Sequence, residues 1–183
     1  MSTVFEHKTY VENSIEEAFE WHERKGAFRR LMPPWELAEE VRADDSLEEG
    51  SQRIFKFPMG PIKMSWVAQH TEYNPPHSFE DVMLKGPFKS WHHTHNFNAT
   101  SDGKVLIHDR VNYKLPLGFL GNLVAGKMIK KRLKRMFTAR EIRLERDLRR
   151  HAEFSHLKRK KILVAGSSGL IGRQLVAFLD TGG

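Results

Sequence analysis

Period-two alternation dominates the middle of the chain, and helical periodicity lies on either side of it. Residues Thr3 to Val11 alternate through Val4, His7, Thr9 and Val11 and predict a first strand. Asn13 or Ser14 then offers an N-cap, with Glu16 and Glu17 in the first turn, where negative charge favours a helix start. Ile15, Ala18, Phe19 and His22 or Glu23 trace one helical face, which Gly26 ends. A second short helix over Ala27 to Leu31 stops at Pro33-Pro34, which cannot continue it.

From Trp35 the pattern changes to alternation. Strands are predicted over Trp35 to Arg42, Gln52 to Phe57, Ile62 to Tyr73 and Ser78 to Lys85, separated by Glu48-Glu49-Gly50, Pro58-Met59-Gly60-Pro61 and Asn74-Pro75-Pro76. Gly86-Pro87 leads into a last hairpin, Trp91 to Thr100 and Lys104 to Leu115, around Ser101-Asp102-Gly103. A two-residue Asp-Gly loop would scatter its apolar residues over both faces. A three-residue loop with Gly103 left-handed pairs Phe97 with Ile107, His95 with Asp109, His93 with Val111 and Trp91 with Tyr113. That register gathers the apolar side chains on one face and is preferred. It puts His93, His95 and Asp109 on the inner side and His92 on the other.

After Leu115-Pro116-Leu117-Gly118, a long helix is predicted from about Leu120 to His151, with Val124, Met128, Leu133, Met136, Phe137, Leu144 and Leu148 as its apolar stripe. Beyond a polar linker, Ile162 to Ala165 is a short apolar run of the buried-strand kind. Gly166, Gly169 and Gly172 follow at three-residue spacing, and Leu170 to Leu179 is periodic as a helix. Such a turn brings backbone against a pyrophosphate at the positive end of a helix.

Composition narrows the picture. The 183 residues are 39% hydrophobic, with twelve Phe and four Trp, enough for a core. Cysteine is absent, which excludes disulfides and thiolate chemistry and suits a reducing compartment. No apolar run approaches the roughly 18–20 residues of a membrane span, and Met1 to Tyr10 lacks a signal-peptide layout. A cytoplasmic location is expected. The net charge of +7 is uneven: Lys127 to Lys161 holds fifteen Lys/Arg against four Asp/Glu, so the rest of the chain is acidic by four charges. Either this is the solvated face of a helix or it meets an anionic partner. No aromatics interleave with it as a base-stacking surface requires, and nucleic acid is not expected.

The element order implies an α+β fold, a curved antiparallel sheet gripping one long helix with a cavity between them. That order, with Trp21-His22, Pro33-Pro34-Trp35, Trp66-Val67-Ala68, Phe79 with Asp81-Val82, Gly86-Pro87-Phe88, Trp91 with His93-Thr94-His95, and Asp109-Arg110-Val111, resembles the START-like helix-grip domain of the SRPBCC class. More narrowly it is similar to the version fused in front of an NAD-dependent epimerase-like domain of the extended short-chain dehydrogenase type, which Gly166 to Gly172 would open. The resemblance implies a ligand-binding domain over residues 1–151, a linker at 152–159, and the first part of a Rossmann domain at 160–183. Gly166, Ser167, Ser168, Gly169, Leu170, Ile171 and Gly172 would then face NAD or NADP in the longer protein. The ribose-binding acid expected about 20 residues further on lies beyond Gly183, and none of Tyr10, Tyr73 and Tyr113 has the family's Lys four positions on. This stretch is expected neither to bind the cofactor well nor to transfer hydride, and 160–183 to dock loosely, stay disordered or exchange between chains.

The candidate site residues are Trp35, Phe55, Met64, Trp66, Phe79, Met83, Trp91, Tyr113, Met136 and Phe137 for an apolar ligand, together with His93 and His95. Each apolar one could equally be ordinary core. His93, His95 and Asp109 could act as acid–base groups or contribute metal ligands; the plain alternative is a hydrogen-bonded core cluster that fixes register, and no metal is assigned. Three functions stay open. The first is binding of a hydrophobic small molecule, such as a lipid or polyketide, beside an NAD(P)-dependent epimerase or reductase. The second is cyclase- or dehydratase-type catalysis by the cavity His and Asp. The third is an interaction domain working through the basic helix.

Overall fold

The computed structural model describes residues 2–116 and 118–182, with the backbone alone given for 118–122 and 124. Its strands are β1 (Thr3–Val11), β2 (Glu39–Ala43), β3 (Gln52–Met59), β4 (Ile62–Asn74), β5 (Ser78–Lys85), β6 (Ser90–Ala99) and β7 (Val105–Lys114). They form one antiparallel sheet in the order β1-β7-β6-β5-β4-β3-β2. The helices are α1 (Ile15–Glu23), α2 (Ala27–Leu31), α3 (Gly118–Glu153) and α4 (Leu170–Thr181).

Local chemistry explains the turns. Ser14 caps α1 in a reciprocal box, in which Glu17 N–H donates to Ser14 Oγ at 3.1 Å and Ser14 N–H donates to Glu17 Oε2 at 3.2 Å. Gly103, at φ +81°, makes the expected turn between β6 and β7. The register follows: Phe97 faces Ile107, His95 faces Asp109, His93 faces Val111 and Trp91 faces Tyr113. Register shifts between β4 and β5, at Val67/Ala68 and His70/Glu72, bend the sheet around α3.

The interior under α3 is split in two. Phe19, Phe97, Ile107, Leu144 and Leu148 belong to one apolar cluster, and Phe5, Trp91, Val111, Leu133 and Phe137 to the other. Between them, five elements contribute polar residues: His7 on β1, Asp81 on β5, His93 and His95 on β6, Asp109 on β7, and Arg140 with Glu141 on α3. A polar layer thus cuts the core across its middle, and it needs internal partners to be tolerated there.

Several expectations are corrected. The strand predicted from Trp35 starts later: Pro34–Glu36 is a 3₁₀ turn, begun by proline, and Leu37 at φ +46° turns the chain before β2. Along α3, Leu133, Phe137, Leu144 and Leu148 are buried but Met128 is exposed; Leu117 and the side chain of Val124 lie outside the described residues. The run Ile162 to Ala165 forms no strand, with Leu163 98% exposed. A parallel strand needs neighbours for its N–H and C=O groups, and none of the seven strands lies beside it.

α4 nonetheless docks. It packs on α2 and the end of α3, burying Ala177 and Thr181. Arg24 Nη1 donates to Thr181 O at 2.8 Å, Arg30 Nη1 to Gln174 Oε1 at 3.2 Å, and His151 stacks on Phe178 at 4.7 Å.

The basic run of α3 is also not one solvated face. Lys130, Lys131 and Lys134 are exposed. Arg140 Nε, however, donates to Leu31 O at 3.2 Å, and Arg143 Nη1 donates to Arg30 O at 2.8 Å and Met32 O at 3.2 Å. These guanidinium groups satisfy the carbonyls that end α2, where a cation is favoured.

Candidate functional site

Between the sheet, α2 and α3 lies a cavity of about 600 Å³. β3 and β4 contribute Phe55, Phe57 and Trp66, and β5 and β6 contribute Phe79 and Trp91. α3 covers it with Ile129, Leu133 and Met136, and α2 closes one side with Ala27, Phe28 and Leu31. The aromatic wall is interlocked: Trp66 stacks on Phe55 at 5.7 Å and meets Trp91 edge-on at 5.2 Å.

One wall is polar. Alternation puts Asp81, His93 and His95 on the inner face, where all three line the cavity. Pairing brings them together, since Asp81 faces His93 across β5–β6 and His95 faces Asp109 across β6–β7. His93 Nε2–H donates to Asp109 Oδ1 at 3.1 Å, and the same oxygen lies 2.7 Å from His95 Nδ1. The opposite nitrogens look toward Asp81: its Oδ2 stands 3.5 Å from His93 Nδ1 and 3.8 Å from His95 Nε2. The two imidazoles, with centroids 3.8 Å apart, are therefore held between two carboxylates.

The charges follow from this arrangement. Burial opposes the ionised form of Asp81, but the two imidazoles outweigh it and hold the carboxyl far below its usual range. Asp109 is held low against the same burial cost, by His95 and His93. Burial also works against protonated His93, yet its contacts with Asp109 and Asp81 raise its pKa. His22 behaves in the opposite way. Burial pushes it down to about 4, with its Nδ1–H donated to Ala18 O at 2.8 Å as a smaller counterweight.

Of the predicted ligand residues, Phe55, Trp66, Phe79, Trp91, His93, His95 and Met136 line the cavity. Five do not. Trp35 stands 42% exposed on its 3₁₀ turn, with the Arg135 guanidinium 4.3 Å from its ring centre. Tyr113 and Phe137 are each 1% exposed, enclosed by the apolar cluster beneath Trp91. Met83 packs against Gly86, and Met64 pairs with Phe57 one cross-strand step beyond Trp66. Asp109 sits behind the histidines rather than on the wall. The sequence reading missed Asp81, His22, His70, Arg140 and the inner side of α2 as cavity residues. The parity of β5, which puts Asp81 on the face of Phe79, could have found the first.

The glycine turn keeps part of its expected geometry. Gly166 has φ +73°, Gly169 N–H donates to Gly166 O at 3.0 Å, and a Cβ on Gly172 would overlap Gly166 and Ser167. These residues fit a turn that leaves its backbone bare, although the strand before it is not formed.

No family model and no curated protein matches the chain. Among solved structures it is similar to the nucleoside-diphosphate sugar epimerase from Corynebacterium glutamicum, at 32% identity and a TM-score of 0.74. That likeness covers 97% of this chain but 37% of the epimerase, so the chain spans well under half of that protein's length. The Zhui aromatase/cyclase from a Streptomyces species is 12% identical, with a TM-score of 0.65 over 85% of this chain and 99% of its own. A Thalictrum norcoclaurine synthase variant, 14% identical, gives 0.64 over 83% and 97%. A curved seven-stranded antiparallel sheet wrapped on one long helix, shared with these proteins, is the START-like helix-grip fold, and it is the fold of this chain.

Proposed function

We propose that the chain binds a hydrophobic small molecule, lipid- or polyketide-like, in the cavity under α3. The observation that carries this reading is a space of about 600 Å³ walled by Phe55, Phe57, Trp66 and Trp91, with Asp81, His93 and His95 gathered on one side of it. An apolar wall with a few convergent polar groups is the usual composition of a small-molecule site. The aromatase/cyclase and the norcoclaurine synthase of the same fold lend it support by name.

The binding domain serves, in this reading, as the accessory part of an NAD(P)-dependent epimerase- or oxidoreductase-like protein. Support comes from the 32% identity with the sugar epimerase across nearly the whole of this chain. Gly166, Gly169 and Gly172, with Ser167, Ser168, Leu170 and Ile171 between them, would hold the pyrophosphate of the dinucleotide, which supplies hydride transfer when bound. The chain's own part is to keep three positions of that turn, Gly166, Gly169 and Gly172, without a Cβ.

A second reading is favoured by the placement of His93 and His95 on the cavity wall. Backed by Asp109, they would move a proton to or from a bound guest in a cyclase- or dehydratase-type step.

Titration with an apolar fluorescent probe tests the binding reading. Saturable binding is expected, and Ala68→Phe and Ala125→Trp, which fill the cavity from the sheet and from α3, should abolish it while the fold persists. Probe binding indifferent to both fillings would refute it.

A further inference from the structure

We propose that Asp81, His93 and His95 form a binding site for a divalent first-row transition metal on the cavity wall, with Asp109 as the outer carboxylate that orients both imidazoles. The site is built on three adjacent strands. Asp81 and His93 are paired across β5–β6, and His95 and Asp109 across β6–β7, so register alone fixes their approach.

Spacing is the first argument. One donor atom from each of Asp81, His93 and His95 lies within 4.8 Å of the other two. A metal bound at about 2.0–2.2 Å by nitrogen and oxygen sets neighbouring ligand atoms roughly 3–3.5 Å apart. The separations from Asp81 Oδ2, 3.5 Å to His93 Nδ1 and 3.8 Å to His95 Nε2, stand close to that spacing. They are long for hydrogen bonds. The Asp81 carboxylate, largely buried, has the two imidazoles as its close polar neighbours, at these long distances.

The division of nitrogens is the second argument. Asp109 Oδ1 takes Nε2 of His93 at 3.1 Å and lies 2.7 Å from Nδ1 of His95. Each ring thus spends one nitrogen on the rear carboxylate and turns the other forward, toward Asp81 and the cavity. A ligating imidazole characteristically has its second nitrogen fixed by a carboxylate in this way.

Ligand chemistry selects the class of ion. Two imidazoles and one carboxylate suit zinc, iron or cobalt, whereas calcium and magnesium prefer all-oxygen shells. Three protein ligands leave the remaining coordination positions facing the cavity. His92 and Glu80, which contact each other at 2.6 Å on the outer face of the sheet, stand outside the set.

Co²⁺ supplies a visible spectrum, and calorimetry with Zn²⁺ supplies stoichiometry. One equivalent should bind the intact chain. Asp81→Asn preserves size and should remove that binding without lowering the melting temperature below the working range. Asp109→Asn should weaken it by about tenfold to a hundredfold, and His92→Gln should leave it unchanged. His95→Gln is a second ligand test, read only on protein with native circular dichroism. Folded chain that takes up no metal, or binds it equally as Asp81→Asn, would overturn the proposal. The metal is titrated alone, so the result is independent of whether the apolar probe binds.

Discussion

Arg30 of α2 and Asp147 of α3 form a doubly hydrogen-bonded pair, Nε to Oδ2 and Nη2 to Oδ1, both at 2.7 Å. With side chains 14% and 4% exposed, this is a buried ion pair tying the short helix to the long one. Removing one partner strands the other in a poor dielectric. Asp147→Ala is therefore expected to cost about 3–5 kcal/mol in urea unfolding. Adding Arg30→Met to that variant should restore part of the loss.

Acid should destabilise the fold through His22. Its folded pKa of about 4 lies below the ordinary 6.5, so the fold excludes a proton that the unfolded chain accepts. The stability from neutral His22 is complete above pH 6.5 and is lost as pH falls from there through 4, about 3 kcal/mol in all. His93, with a raised pKa, acts in the opposite direction. Comparing unfolding of the parent and His22→Gln across that window isolates the His22 contribution, and the variant should show the flatter slope.

Two glycines separate backbone strain from close contact. Gly26 and Gly50 both have φ near +90°, at +90° and +87°. A Cβ on Gly50 meets nothing within 4 Å, whereas on Gly26 it would lie 2.9 Å from Ala177 O in α4. Gly50→Ala should cost about 1 kcal/mol. Gly26→Ala should cost more and, in addition, speed amide exchange along α4, which Gly50→Ala should leave alone.

Cavity walls and surface aromatics should respond differently to the probe. Trp66→Ala is expected to change probe affinity and enlarge the binding space. Trp35→Ala, on the exposed 3₁₀ turn, should leave the titration curve where it was. Equal effects from the two would mean that the probe binds elsewhere.

Much of the architecture was legible because it rests on local rules. Ser14 with Glu17, the glycine at 103 and the alternation of β6 and β7 each fix geometry over a few residues, and the hairpin register followed from apolar sorting alone. That register brought His93, His95 and Asp109 together correctly. What escaped depended on partners distant in sequence. Asp81 joins the cluster only because β5 pairs with β6 in one register, and Arg140 enters the interior only because Leu31 O needs a donor. Ile162 to Ala165 has the composition of a buried strand but no strand to pair with, so composition misled. Trp35 misled for a related reason: a tryptophan suggests interior, but Pro34 places it on a turn.

The position of α2 has a consequence for whatever occupies the cavity. Ala27, Phe28 and Leu31 face the cavity, while Arg30 of the same helix and Gly26 just before it meet Gln174 and Ala177 of α4. This short helix is a partition with the cavity on one face and α4 on the other. A guest that outgrows its room on this side must push that partition, and the partition cannot shift without loosening α4. Binding of guests large enough to displace α2 is therefore expected to speed amide exchange along α4.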